Sequence, residues 1–158
     1  MASTTFRMVD GNFREQLELT GFGFDKEVEM IRTANEKGIF SIVYVFNAQE
    51  ARLMAEAGAD CIVAHVGLTV GGTIGSTKAL SIEDSAKLTR EIMDAGQAVR
   101  EDVLWLAHGG PLSTPADFEK FLKYLPEIDG FVGASSMERI PTEVAISSTV
   151  KEFKKIKS

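Results

Sequence analysis

Short β-branched or aromatic runs alternate with amphipathic stretches about four times along the chain, and no other feature constrains its fold as tightly. Strand followed by helix, repeated, predicts parallel strands joined by right-handed crossovers. The strand-like runs are residues 40–46, 60–65, 103–108 and 130–133. A helix is expected after Gly23, with Phe24, Val28 and Ile31 on one stripe and Gly38 as its stop. Asn47 reads as the cap of a second helix, with Glu50 three positions on as the reciprocal half of a capping box. That helix buries Ala51, Met54 and Ala55 and ends at Gly58. Ser81 opens a third, with Leu88, Ile92, Ala95 and Val99 at helical spacing. Thr114 and Pro115 open a fourth, proline sitting where its missing N–H costs nothing, with Phe118, Phe121, Leu122 and Leu125 facing inward. Pro141 opens the last, with Val150, Phe153 and Ile156 as its apolar side. Before all of these, residues 10–14 (Asp10 to Arg14) read as a polar turn, and residues 1–9 make a poor strand.

Two α/β architectures share this order: an open doubly wound sheet, or part of a (β/α)8 barrel. A full barrel takes about 250 residues. At 158 residues the chain is expected to hold roughly half of one, a single partial domain over 1–158 with about four βα units. A hydrophobic share of 44% supplies a core and argues against disorder. The apolar runs stay far below the ~20 residues of a membrane-spanning helix, and the first residues lack the pattern of a secretory signal. Cys61, the one cysteine, has no partner for an intramolecular disulfide, which fits a reducing cytoplasm; its place among apolar residues reads as a small buried side chain. A net charge of −6 disfavours nucleic acid as a partner.

In parallel α/β folds the carboxyl ends of the strands carry ligands. Here those ends are rich in glycine and hydroxyls. The second strand runs into His65 and a loop with Gly71 and Gly72, the third ends in His108-Gly109-Gly110, and the fourth in Gly133-Ala134-Ser135-Ser136. Glycines let backbone N–H groups approach an anion, and equally they permit tight turns. The loop is neither a P-loop nor a dinucleotide fingerprint, because the Gly-Lys-Ser/Thr end and the glycine spacing are absent. Gly-x-Ser-x-Gly is absent too, so a nucleophile elbow has no support. His65 and His108 are the only histidines and close neighbouring strands, so they are expected side by side. Imidazoles there serve as general acid or base, as metal ligands, or as inert hydrogen-bonding groups. Arg139 either grips an acidic ligand or pairs with Glu138 or Glu143, and Glu138 is a base, a metal ligand or a carboxylate at a helix start. No cofactor is specified; a divalent metal such as Mg is a candidate that would need a carboxylate beside the histidines.

The ordered blocks Asp10-Gly11-Asn12-Phe13-Arg14, Ala57-Gly58-Ala59-Asp60, His65-Val66-Gly67-Leu68-Thr69, His108-Gly109-Gly110-Pro111 and Gly133-Ala134-Ser135-Ser136-Met137-Glu138-Arg139 are similar to those of a known family. Together they resemble the phosphoenolpyruvate-hydrolase-like, or TIM-barrel signal transduction protein, family, whose barrel also forms the C-terminal domain of a plant tobamovirus-resistance protein. The resemblance runs from about residue 6 to the C-terminus. It implies a (β/α)8 barrel related to enzymes of phosphonopyruvate and phosphoenolpyruvate, with hydrolase- or lyase-like chemistry where active. It also implies an N-terminally truncated chain supplying strands five to eight, with two sheet edges unpaired and barrel-facing side chains uncovered. On that reading His65, His108 and Glu138 are the catalytic candidates. Gly71, Gly72, Gly109, Gly110, Gly133, Ala134, Ser135, Ser136 and Arg139 are the substrate-binding candidates, holding a small phosphorylated or carboxylated oxo-acid. The alternative is a non-catalytic binding or regulatory module, whose half-barrel pairs with itself as a homo-oligomer or with another chain.

Overall fold

The computed structural model of the chain describes residues 11–155. Its elements run α1 (Gly11–Leu19), α2 (Phe24–Glu36), β1 (Ile42–Val45), α3 (Ala48–Glu56), β2 (Cys61–His65), α4 (Ile82–Gln97), β3 (Leu104–His108), α5 (Pro115–Phe121), β4 (Gly130–Phe131) and α6 (Arg139–Lys155). The four strands form one sheet in the order β1-β2-β3-β4, each pair parallel. A doubly wound sheet reverses its strand order at a switch point; this one never does. Moreover α3 packs on α4 and α4 on α5, so successive crossovers lie on the same face. That is the winding of a barrel, and the chain builds half of a (β/α)8 barrel.

Side-chain alternation divides the sheet into two faces. Val43 and Val45, Ile62 and Ala64, and Trp105 and Ala107 point into the core beneath the helices, joined there by Ile31, Met54, Ile92, Phe121 and Leu125. Each fully buried large side chain contributes about 1.5–3 kcal/mol relative to exposure. Tyr44, Val63 and Leu106 occupy the opposite, barrel-facing side, whose carboxyl end is His65 and His108. At the amino end, aspartates tie neighbouring strands. Asp60 accepts from the Ser41 N–H at 2.8 Å, and Asp129 from the Trp105 N–H at 2.7 Å.

The helix starts follow local capping chemistry. Asn47 Oδ1 accepts from the Glu50 N–H at 3.0 Å and Ser81 Oγ from the Asp84 N–H at 3.0 Å. Thr114 and Asp117 form a reciprocal capping box with proline in the first turn. Glu50 departs from the expected box. Its carboxylate accepts from the Phe46 N–H at 2.8 Å and from Asn47 Nδ2 at 2.7 Å, tying the end of β1 to the start of α3. At Gly58, φ is +89° and an added Cβ would lie 2.4 Å from Asn35 Nδ2, so glycine serves both the stop and the approach of α2.

Three expectations are corrected. Residues 11–14 are not a turn but the first turn of α1. The strands are shorter than the apolar runs, β4 being only Gly130–Phe131. The last helix begins at Arg139, so Pro141 is its third residue, still within the first turn where a missing N–H is tolerated. That helix buries no residue: Val144, Ile146, Val150 and Phe153 are exposed rather than packed. Asp10, Ile156 and the weak strand candidate at residues 1–9 lie outside the described residues. Among the described residues no helix is long and apolar enough to cross a membrane.

Candidate functional site at the carboxyl end of the sheet

Parallel register sets the site. His65 and His108 are direct partners across β2 and β3, so both imidazoles leave the same face at the same level. Their ring centroids are 4.8 Å apart. Tyr44 lies 5.7 Å from the His65 ring and 5.1 Å from the His108 ring, and Phe46 stacks on His65 at 4.7 Å. The aromatic pair was not among the expected site residues. Tyr44 and Phe46 alternate with Val43 and Val45, and it is the core packing of those valines that identifies the other face as the rim.

Both histidines are buried, at 3% and 7% exposure, and each is held through one ring nitrogen. His65 Nδ1 accepts from the Gly67 N–H at 3.2 Å. His108 Nδ1 lies 2.7 Å from the Val132 carbonyl oxygen. Burial disfavours the charged imidazolium. It drives His65 down to about 4, with neighbouring His108 adding to the effect. Burial also lowers His108, opposed by its bond to the Val132 carbonyl. Burial raises the Tyr44 phenol. Near neutral pH the pair is therefore uncharged on both rings, presenting hydrogen-bonding groups rather than positive charge.

The loops beyond β2 and β3 continue to interlock after the strands end. Val66 N–H donates to His108 O at 3.0 Å, Gly110 N–H to Gly67 O at 2.7 Å, and Val70 N–H to Gly110 O at 3.1 Å. Gly109 has φ +82°, and an added Cβ would sit 2.2 Å from Gly67 O. Glycine is required there by the close approach of two backbones, and the Gly110 N–H is engaged within the protein.

Across the rim, Gly71 and Gly72 are held by the start of α6. Arg139 Nη2 donates to Gly71 O at 3.1 Å and Nη1 to Glu143 Oε1 at 3.0 Å. Glu143 in turn accepts from the Thr73 N–H at 2.8 Å and from Thr73 Oγ1 at 3.0 Å. Of the two readings of Arg139, the structure shows the pairing with Glu143. The bonds from Arg139 to Gly71 and from Thr73 to Glu143 span about 70 positions in sequence, so no local motif could announce them. Glu138 is exposed, and its backbone N–H closes a turn onto Ala134 O at 2.9 Å. Ser135 and Ala134 supply carbonyls to that turn. Gly133 packs against Met137. Ser136 instead lines a cavity of about 320 Å³ with Ser113, Thr114, Pro115, Phe118, Phe131 and Met137. Phe118 and Phe131 pack on the helix-side core, which places this cavity on the other face of the sheet from the histidines. The structure thus brings His65 and His108 together, ties Gly71 and Gly72 to Arg139, and directs Ser136 elsewhere. Among the described residues no group of three His, Cys, Asp or Glu side chains converges. The two histidines alone fall short of the ligand set that a divalent cation takes from protein.

Residues 3–156 match the family model described as phosphoenolpyruvate hydrolase-like. The ToMV susceptible protein tm-1 of Solanum lycopersicum is 49% identical over 152 residues, and the ToMV resistance protein Tm-1 of the same plant 48% identical over 152 residues. Each alignment covers 96% of this chain and 20% of the relative. A putative transcriptional regulatory protein, y4pA of Sinorhizobium fredii, is 34% identical over 148 residues, covering 94% of this chain and 24% of that protein. The chain therefore spans about a fifth to a quarter of the length of the curated relatives it matches.

Proposed function

The chain belongs to the phosphoenolpyruvate hydrolase-like family, and from that premise we propose that the carboxyl-end rim of its sheet binds a small phosphorylated or carboxylated oxo-acid. The observation that carries this reading is the pair of buried imidazoles that leave adjacent strands on one face at one level. A neutral imidazole offers an oxygen one N–H donor and one lone-pair acceptor, so the two rings together hold and polarise it. Gly109 and the neighbouring main chain would hold the acidic group, joined by Gly133, Ala134, Ser135 and the loop of Gly71 and Gly72. Arg139 would contribute through the loop it fixes, and Glu138 would reach the ligand only after a change in the 133–138 turn. Hydrolase- or lyase-like turnover in a cytoplasmic setting goes with this reading, as does the buried free thiol of Cys61.

Titration of phosphoenolpyruvate and of pyruvate into the chain, followed by amide chemical shifts, tests the proposal. Shifts are expected at Val66, Gly67, Gly109 and Gly110, and His108→Ala should weaken affinity by about tenfold or more, the equivalent of ~1.4 kcal/mol. Absence of shifts with both acids at millimolar concentration would refute it.

A second reading has its own observation. The edges β1 and β4 have no further strand beside them among the described residues, and Leu104 on the barrel-facing side is 48% exposed. A half-barrel of this kind would act as a binding or regulatory module that assembles with a second copy or with another chain; one relative, y4pA, is named a putative transcriptional regulatory protein. Light scattering on the purified chain checks self-assembly. A dimer is expected on this reading, and a compact monomer that also binds the acids would favour the first.

A further inference from the structure

The two histidines are chemically alike in sequence but not in place. His65 Nδ1 accepts a hydrogen bond from a backbone N–H, so in the neutral ring that nitrogen bears no proton and Nε2 carries it. His108 Nδ1 faces a carbonyl, which can only accept, so there Nδ1 carries the proton and Nε2 keeps its lone pair. The His65 Nε2–H is buried without any hydrogen-bond partner. An unsatisfied buried donor is costly, so a group that accepts from it is favoured. The His108 ring, anchored on the β4 side by Nδ1, turns Nε2 away from that strand.

We infer that the pair is a donor–acceptor clamp for a hydroxyl group: His65 Nε2–H donates to the hydroxyl oxygen, and the hydroxyl donates to His108 Nε2. The inference rests on the acid-binding reading and narrows its ligand to the enol form of an oxo-acid or to a 2-hydroxy acid. A keto oxygen, a carboxylate oxygen or a fully ionised phosphate oxygen accepts but cannot donate. Each would satisfy His65 while facing the lone pair of His108. Tyr44, which packs against both rings, and Phe46, stacked on His65, bound the clamp on the β1 side.

The ring nitrogens give the first test, independent of any ligand. A ¹⁵N-detected spectrum of the free chain at pH 7 should show His65 protonated on Nε2 and His108 on Nδ1. The reverse form at either residue would overturn the inference even if acids bind. The second test compares lactate, pyruvate and methyl phosphate as probes in the same titration. Lactate is expected to bind about tenfold more tightly than pyruvate, as one further hydrogen bond of about 1.4 kcal/mol would give. His65→Gln retains an N–H donor near the Nε2 position and should keep that preference. His65→Asn keeps an acceptor for the Gly67 N–H but loses the donor, and should abolish it. Equal or tighter binding of pyruvate or methyl phosphate at the histidines would overturn the clamp while leaving acid binding intact. If none of the three acids binds, the acid-binding reading falls and the clamp with it.

Discussion

Replacing Trp105 by Ala is expected to destabilise the fold by about 3–5 kcal/mol, the usual range for removing a large aromatic side chain from a packed core. Trp105 is 1% exposed at the centre of the sheet, and its indole lies against α4 at Gly96. A Cβ on Gly96 would stand 2.4 Å from Trp105 Cη2 and 2.6 Å from Cζ2. Gly96 is therefore the flat surface that lets α4 sit on the ring. In an ordinary helix Gly→Ala stabilises by about 1 kcal/mol. Here Gly96→Ala should destabilise, by roughly 1–3 kcal/mol for an overpacked core. Trp105→Phe shortens the ring and removes the indole Nε1, which is buried without a hydrogen-bond partner. In that background Gly96→Ala should become neutral or stabilising. Urea unfolding of the two single variants and the double variant measures the coupling directly. Additive effects would show that Gly96 and Trp105 do not share the space ascribed to them.

Features set by neighbours in sequence were legible beforehand. The caps at Asn47, Ser81 and Thr114 depend on a side chain reaching a backbone N–H three residues on, so a local pattern suffices to find them. The left-handed glycine after α3 was readable for the same reason. The adjacency of His65 and His108 followed from placing both at the ends of consecutive parallel strands, and the register bears that placement out. What escaped depends on tertiary distance. The five-residue apolar run from Ile42 to Phe46 hides its own period, because both faces of the strand carry hydrophobic residues. Only the packing of Val43 and Val45 beneath the helices shows which face is the rim. The link from Arg139 and Glu143 to Gly71 and Thr73 joins segments far apart in the chain. Likewise Val150 and Phe153 read as an apolar side of α6, but an apolar side does not specify that anything covers it, and both are exposed.

Acidification from pH 7 to pH 5 should lower stability by about 2 kcal/mol through His65, and the sign follows from linkage. In the unfolded chain this imidazole titrates near its ordinary value of about 6.5. In the fold, burial and the nearby His108 ring hold it down to about 4. Between those values the unfolded chain binds a proton that the folded chain refuses, so stability falls as pH falls from about 6.5 and levels off below about 4. The full span corresponds to ~3 kcal/mol. His108, also lowered by burial, adds in the same direction. Asp117 and Glu143, whose carboxyls are held below their ordinary values, lose stability only towards the acid end of the titration, and Tyr44, raised by burial, responds on the alkaline side. These are the chain's only histidines, so the pH 5–7 response is assigned without ambiguity among imidazoles. Chemical unfolding of the wild type and of the double variant His65→Gln/His108→Asn at pH 7, 6 and 5 measures it. The wild type should weaken steadily and the double variant should stay nearly flat. An unchanged slope in the double variant would mean that the pair is charged, or freely hydrated, in the fold. Neither state is compatible with a site built on two neutral rings.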